Sequence, residues 1–307
     1  MSYDYKNSTE SDELKIYRQL YLRKILLEKE KAYFTNLEKG YLGELAFDGM
    51  FDQQESDWLI LNDILLEINN SMFQLDKVVI TPDITYLFEV KNYEGDYYIE
   101  ENNWYSLAKT EIKNPILQLQ RSQSSLRRLL KQIGYDFSVE AYLIFINPEF
   151  HLYNAPLSFP IIYPTQLNRF LNQLKAKKHY IKDKQNKFAE KLLSLHVIDN
   201  PYNRLPKYQY ENLKKGIICN FCGSYITETT ERFYFVCNKC RKKERIENAL
   251  LRSIDEFRLL FPNEKLTTNK LYDWCKIISS KKMIRRVLLQ NFEHVGWGKS
   301  SYYVKEQ

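Results

Sequence analysis

Apolar side chains recur at three- and four-residue steps between residues 11 and 34 (Leu14, Ile16, Tyr17, Leu20, Tyr21, Ile25, Leu26). That spacing predicts one amphipathic helix, packed on the domain that follows or, alternatively, used for oligomerisation. Residues 39–51 read as a second helix, with Leu42, Leu45, Ala46 and Met50 on one side and Glu44 near its start. Residues 58–61 and 64–68 read as two short strands. Residues 73–80 and 84–91 read as two longer ones, joined through Thr81-Pro82-Asp83. A further hairpin is expected over 93–99 and 104–105, then a long helix from Asn114-Pro115 to about Gly134, and a buried strand over 138–146. A short strand at 160–163 and helices at 165–175 and 183–195 complete this region. The proline-bearing segment 200–206 reads as a linker.

The chemistry concentrates on the two longer strands. Side chains alternate along a strand, so Glu89 and Lys91 leave the same face while Val90 turns to the core. If residues 73–80 and 84–91 pair, Asp76 comes alongside Glu89. Two carboxylates can hold a hard divalent cation such as Mg²⁺, which takes oxygen ligands and keeps several waters. Such an ion activates water and stabilises phosphate charge, and Lys91 can position or deprotonate that water. An ordinary cross-strand charge cluster is the competing reading. A second Glu-x-Lys triplet, at Glu111 and Lys113, lacks a strand bearing an aspartate before it and reads as solvated charge.

The surrounding motifs extend the pattern. Gly40-x-x-Gly43-Glu44, Gln74-x-Asp76, Glu89-Val90-Lys91-Asn92-Tyr93 with Gly95, and Asn114-Pro115-x-x-Gln118 occur in that order. Residues 38–150 therefore resemble the nuclease-related domain (NERD) family, a branch of the PD-(D/E)XK nuclease superfamily. The resemblance implies an α/β fold, a mixed sheet flanked by helices, with a divalent-metal (Mg²⁺ or Mn²⁺) nuclease centre. It makes Asp76 and Glu89 the metal ligands and has Lys91 attend the water. It further implies Glu44 as an auxiliary carboxylate and Gln118 as a supporting residue. Fold resemblance does not by itself establish activity.

Beyond the linker, Cys219 and Cys222, and then Cys237 and Cys240, form two Cys-x-x-Cys knuckles. Four thiolates close the tetrahedral sphere of one structural Zn²⁺, with redox-active pairs or an iron–sulfur cluster as the alternatives. Residues 225–229 and 232–236 alternate like a hairpin between the knuckles, and the module resembles a zinc ribbon. Residues 246–261 read as an amphipathic helix. Thr267 or Thr268, then Ser279 or Ser280, can cap two shorter helices, the second over 281–290. A glycine-containing turn at 295–299 precedes a last strand-like segment. This order resembles a winged helix-turn-helix, with Lys281, Lys282, Arg285 and Arg286 facing DNA and Lys299 on the wing. A helical cap with a solvated basic face is the alternative. Arg121, Arg127, Arg128 and Lys131 form another basic stripe, on the helix that begins at Pro115.

The 307 residues give length for two or three domains. The boundaries expected are a helix over 1–37, the nuclease-related domain over 38–199, a linker over 200–216, the ribbon over 217–243 and the helical module over 244–307. The net charge of +6 is uneven: from Arg241 onward there are 15 basic and 8 acidic residues. No run is apolar for long enough to cross a bilayer, and the polar N-terminus is not a signal peptide. Five cysteines, four of them in metal-like pairs, fit a reducing cytoplasm. The expectation is a cytoplasmic, Mg²⁺-dependent nuclease acting on DNA, with RNA left open as a substrate. The alternative is an inactive DNA-binding regulator that retains the fold.

Overall fold

The structure, a computed structural model, describes residues 3–6, 9–52, 58–176, 181–198, 204–227 and 233–305. Its elements run β1 (Tyr3–Lys6), α1 (Asp12–Arg23), α2 (Glu28–Asp52), β2 (Leu59–Ile68), β3 (Ser71–Ile80), β4 (Ile84–Lys91), β5 (Gly95–Glu100), β6 (Asn103–Ser106) and β7 (Glu111–Ile112). There follow α3 (Pro115–Gln132), β8 (Ser138–Phe145), β9 (Phe150–Tyr153), β10 (Ile161–Ile162), α4 (Leu167–Ala176) and α5 (Asp183–Ser194). The C-terminal elements are β11 (Tyr234–Val236), β12 (Lys243–Arg245), α6 (Ile246–Leu260), α7 (Thr268–Cys275), α8 (Lys281–Asn291), β13 (Glu293–Val295) and β14 (Tyr302–Val304). Contacts divide the chain into two units, Met1–Glu10 with Thr35–Asn203, and Ser11–Phe34 with Arg204–Gln307.

The first unit is built on a six-stranded mixed sheet in the order β1-β2-β3-β4-β8-β10. Strands β2, β3 and β4 are antiparallel, whereas β4, β8 and β10 are parallel. Alternation along the strands sends their side chains to two cores. Ile60, Val79, Tyr86, Phe88, Val90 and Ile144 join Phe47 and Phe51 of α2 and Leu167, Leu171 and Leu174 of α4. Leu61, Val78, Ile80, Leu87, Leu143 and Phe145 instead join Leu119 and Leu126 of α3 and Phe188 and Leu192 of α5. A four-stranded sheet, β7-β6-β5-β9, adds Trp104 and Phe150 to this second core. Phe88 is fully buried and meets Phe47 at 5.5 Å and Phe170 at 6.0 Å, both edge-on. Such pairs contribute about 0.5–1.5 kcal/mol each beyond their buried area.

One irregularity in this sheet bears on function. The β2–β3 ladder pairs Asn62 with Lys77 and Ile64 with Leu75, and leaves Asp63 and Asp76 between those pairs outside it. Asp63 lies at φ 51°, a left-handed conformation that aspartate tolerates better than most residues. The side-chain phase reverses there: Leu61 and Ile64, three residues apart, enter the same core, as do Leu75 and Val78. What the sequence pattern reads as two short strands over 58–68 is one strand with a kink.

The second unit holds α1, the cysteine knuckles and α6–α8. Leu14, Ile16, Tyr17 and Leu20 form the buried face of α1. Arg23 is buried with them, donating to Glu256 of α6 and to the carbonyls of Lys214 and Gly216. The Arg23 guanidinium also lies 4.1 Å from the Trp274 ring centroid. The single N-terminal helix expected over 11–34 is therefore two helices, broken after Arg23, and α1 packs within the second unit. The amphipathic spacing is real, but periodicity does not name the partner.

Strand β11 pairs with β12, across the second knuckle. Residues 228–232 of the expected hairpin, and 200–203 of the expected linker, lie outside the described residues. In α7, Thr267 caps as expected, accepting from the Lys270 N–H at 3.2 Å; Ser280 precedes α8 without a side-chain cap bond. Strands β13 and β14 form a hairpin, and Leu266 pairs with Tyr303 as a third short strand segment. No helix among the described residues is long and apolar enough to cross a membrane.

Candidate active site

Strands β3 and β4 pair as the alternation predicts, with Lys77 opposite Phe88 as the last ladder pair before the kink. Beyond it, freed from the ladder, the Asp76 carboxylate accepts the Val90 N–H at 2.8 Å. This bond ties Asp76 of β3 to β4 beside Glu89. The Glu89 side chain is buried (1% exposed), and its Oε1 accepts from Lys91 Nζ at 2.6 Å and from Gln118 Nε2 at 2.5 Å. Lys91 Nζ also reaches Gln118 Oε1 at 3.3 Å. Gln118 stands in the first turn of α3, whose start is fixed by Asn114 accepting from the Ile116 and Leu117 N–H groups.

Glu44 arrives from α2 because that helix sits very close to the sheet. A Cβ placed on Gly43 would lie 2.7 Å from the Asn92 Cβ, so only glycine fits there. The face that α2 buries carries Gly43, Phe47 and Phe51. Leu42 and Leu45, expected on the buried side, are 54% and 38% exposed. Apolar residues occur around much of this helix, and the aromatic packing on Phe88 and Trp58 selects the face. One turn beyond Glu44, Asp48 pairs with Lys77 at 2.6 Å. The Lys77 ammonium, buried and 4.7 Å from the Phe51 ring centroid, also donates to Asn62 at 2.7 Å.

The electrostatics are those of crowded carboxylates around one cation. Burial first, then Asp63, Asp48 and Glu89, push the Glu44 carboxyl up to about 7, against the opposing pull of Lys91. Burial and the neighbouring Glu89 likewise raise Asp76 well above the carboxylate range, despite Lys91 and the Val90 N–H. Burial works against the Lys91 ammonium, but Glu89 and Asp76 outweigh it, and its pKa is raised. Lys91 is thus held as a cation. An all-oxygen set of crowded carboxylates fits a hard divalent ion, and two carboxylates plus water are a normal complement for Mg²⁺.

Glu44, Asp76, Glu89, Lys91 and Gln118 accordingly gather in one region. Asp63 was not anticipated from the sequence, although its charge is the largest electrostatic influence on Glu44 after burial. Its signal was the polar pair Asn62-Asp63 inside an otherwise apolar run. Glu111, of the second Glu-x-Lys triplet, sits exposed on the edge strand β7. The basic stripe on α3 is partly committed, since Arg127 donates to the Val139 carbonyl at 2.8 Å.

In the second unit, the Sγ atoms of Cys219, Cys222, Cys237 and Cys240 all lie within 4.8 Å of one another. The Cys219–Cys240 and Cys222–Cys237 separations are 3.7 and 3.5 Å. Tetrahedral zinc with Zn–S bonds of about 2.3 Å sets sulfurs roughly 3.8 Å apart, so the cluster fits Zn²⁺ and a zinc ribbon. The Cys240 N–H and the Ser224 hydroxyl draw the Cys237 thiol down to about 6, favouring the thiolate a metal requires. Lys282, Arg285 and Arg286 are exposed on α8. Lys281, also exposed, donates to Asn269 at 2.8 Å, and its ammonium lies 5.1 Å from the Tyr272 ring centroid. Lys299 lies in the connection between β13 and β14; its side chain is outside the described residues.

Residues 39–146 match the family model of the nuclease-related domain (NERD). The matched span contains Glu44, Asp76, Glu89, Lys91 and Gln118, and it bears out the resemblance read from residues 38–150. The chain therefore carries a nuclease-related domain, which implies a nuclease-related function. No curated protein matches the chain.

Proposed function

We propose that the chain is a divalent-metal-dependent nuclease that hydrolyses phosphodiester bonds of DNA in the cytoplasm, in DNA processing, repair or defence. The observation carrying this reading is the meeting of Asp76, Glu89 and Lys91 inside the matched span, with Asp76 bonded to Val90 and Glu89 bonded to Lys91. Asp76 and Glu89 would hold Mg²⁺ or Mn²⁺, which supplies an activated water and charge stabilisation at the phosphate. Lys91 remains an ammonium and so acts by donating hydrogen bonds, orienting the water or neutralising a phosphate oxygen, rather than by removing a proton. Glu44 adds an auxiliary carboxylate, and Gln118 fixes the rotamers of Glu89 and Lys91. Hydrolysis joins the water oxygen to phosphorus as the bond to the leaving sugar oxygen breaks, and that oxygen takes up a proton.

The C-terminal unit would engage DNA through a winged-helix-like module. The α6–α7–α8 order, the β13–β14 hairpin and the exposed Lys282, Arg285 and Arg286 support that role, with Lys281 and Lys299 as further contacts. The zinc would hold the ribbon rather than take part in hydrolysis, because four thiolates leave no open position. The test is cleavage of labelled single-stranded, duplex and branched DNA with Mg²⁺ or Mn²⁺, comparing wild type with Asp76→Ala. Metal-dependent cutting lost in the variant is expected. Tight binding with no cutting by either protein would instead favour an inactive DNA-binding regulator.

A further inference from the structure

Beside the candidate centre lies a buried polar contact that the hydrolytic reading does not use. Lys77 of β3 faces Asn62 of β2 as the last ladder pair before the kink. Its ammonium is buried over the Phe51 and Phe47 rings, 4.7 and 5.9 Å from their centroids. It donates to Asn62 Oδ1 at 2.7 Å and pairs with Asp48 Oδ1 of α2 at 2.6 Å. One cation therefore joins three elements, and each of them carries a carboxylate of the crowded cluster close by. Asp63 follows Asn62, Asp76 precedes Lys77, and Glu44 stands one turn before Asp48. Asp63 and Asp48 are also the two charges that act most strongly on Glu44.

We propose that Lys77 is a positioning residue of this centre: held by Asp48 and Asn62, its ammonium fixes α2 against the kinked strands and sets where Glu44 and Asp76 meet a divalent ion. Stability is a poor explanation for the contact, because replacing a buried ion pair by apolar side chains is often neutral or stabilising. Geometry is a better one. Apolar packing is non-directional, whereas charge-assisted hydrogen bonds are short and fix orientation. Phe47 and Phe51 choose the face that α2 buries; the Lys77 bonds then fix its rotation and its height along the sheet. The proposal rests on the hydrolytic reading above and adds to it a residue that touches neither metal nor substrate.

The test is Mn²⁺ titration of the full chain, read from the paramagnetic resonance of the free ion, with melting curves and single-turnover DNA cleavage alongside. Wild type is compared with Lys77→Met, with the double variant Asp48→Leu/Lys77→Met, and with Asn62→Ala. Lys77→Met leaves Asp48 without its ammonium and lowers the melting temperature, whereas the double variant removes both charges and melts near wild type. Both are expected to bind Mn²⁺ about 10- to 100-fold more weakly, the usual scale for losing a group that orients a metal ligand, and to cleave correspondingly slowly. Asn62→Ala keeps the ion pair and is expected to lose about tenfold. A double variant that melts and binds Mn²⁺ like wild type would overturn the proposal, because the pair would then serve stability alone. Unchanged Mn²⁺ affinity in Asn62→Ala would overturn it as well, whether or not the apolar pair folds. Lys77-dependent Mn²⁺ binding by a wild-type chain that does not cleave would overturn the nuclease reading alone, and a wild-type chain that binds no Mn²⁺ would overturn both.

Discussion

Glu89 and Gln118, on a strand and a helix 29 residues apart, meet through a 2.5 Å hydrogen bond from the amide Nε2 to the carboxylate Oε1. Lys91 donates to the same oxygen and to the Gln118 carbonyl oxygen, closing a three-membered network. Gln118 is exposed and packs little, so its part is positional. Gln118→Leu should change stability by less than about 1 kcal/mol and lower the cleavage rate by about 10- to 100-fold, the usual effect of losing a partner that orients a ligand. Melting curves alongside single-turnover cleavage separate the two effects. A large loss of stability with no change in rate would show Gln118 to be structural.

Gly43 and Gly40 make a matched pair of tests. A Cβ at Gly43 collides with Asn92, whereas one at Gly40 meets nothing within 4 Å. Gly43→Ala should cost about 1–3 kcal/mol and displace Glu44. Gly40→Ala should be neutral or stabilise by about 0.5–1 kcal/mol, since glycine is entropically unfavourable in a helix. Thermal melts of the two variants decide, and similar results for both would remove the close-approach explanation for Gly43.

The raised Glu44 carboxyl gives a signed pH dependence. Its folded pKa, about 7, exceeds its ordinary value of 4.5, so the native state disfavours the charged form. The resulting destabilisation is absent below about pH 4.5, accrues as pH rises towards 7 and is fully present above it. Glu44→Gln should therefore raise the melting temperature at pH 8 but not at pH 4.5. Added Mg²⁺ or Mn²⁺ should also stabilise the wild-type protein more at pH 8 than at pH 5, because protons compete for the same carboxylates. Parallel pH profiles for wild type and variant would mean that Glu44 does not titrate as its surroundings dictate.

Arg23 and Glu256 form a buried ion pair that fastens α1 to α6. Truncating one member strands the other, and Glu256→Ala should destabilise the chain by about 3–5 kcal/mol, with Glu256→Gln milder. Denaturant unfolding measures the difference, and a loss under about 1 kcal/mol in Glu256→Ala would contradict the burial seen here.

Zinc makes a separate prediction for the ribbon. Atomic emission should find stoichiometric zinc in the purified chain, and Cys237→Ser should lose it. Chelation should lower the melting temperature, since structural zinc contributes on the order of 10 kcal/mol of apparent binding free energy. Retention of zinc by Cys237→Ser would place the metal elsewhere.

The legible parts of this protein are those fixed by local chemistry. Period-two alternation put Glu89 and Lys91 on one face, and two Cys-x-x-Cys knuckles brought four thiols together in an arrangement that fits zinc. Asp63 was hidden because its role depends on one left-handed backbone conformation that interrupts the ladder and reverses the side-chain phase of both strands. The partner of α1 was hidden for another reason. Glu256 lies 233 residues from Arg23, and helical spacing carries no information about which surface will cover it. On α2 the leucines and the aromatics offered competing faces, and tight packing at Gly43, Phe47 and Phe51 decided between them.

The most direct measurement is the single-turnover DNA cleavage rate of Lys91→Ala against wild type in saturating Mg²⁺, with melting curves to confirm that both are folded. A cationic Lys91 bonded to Glu89 at the proposed hydrolytic centre predicts a loss of at least about 100-fold, the scale of removing one preorganised electrostatic donor. A variant that cleaves as fast as wild type would contradict a hydrolytic centre at Asp76, Glu89 and Lys91.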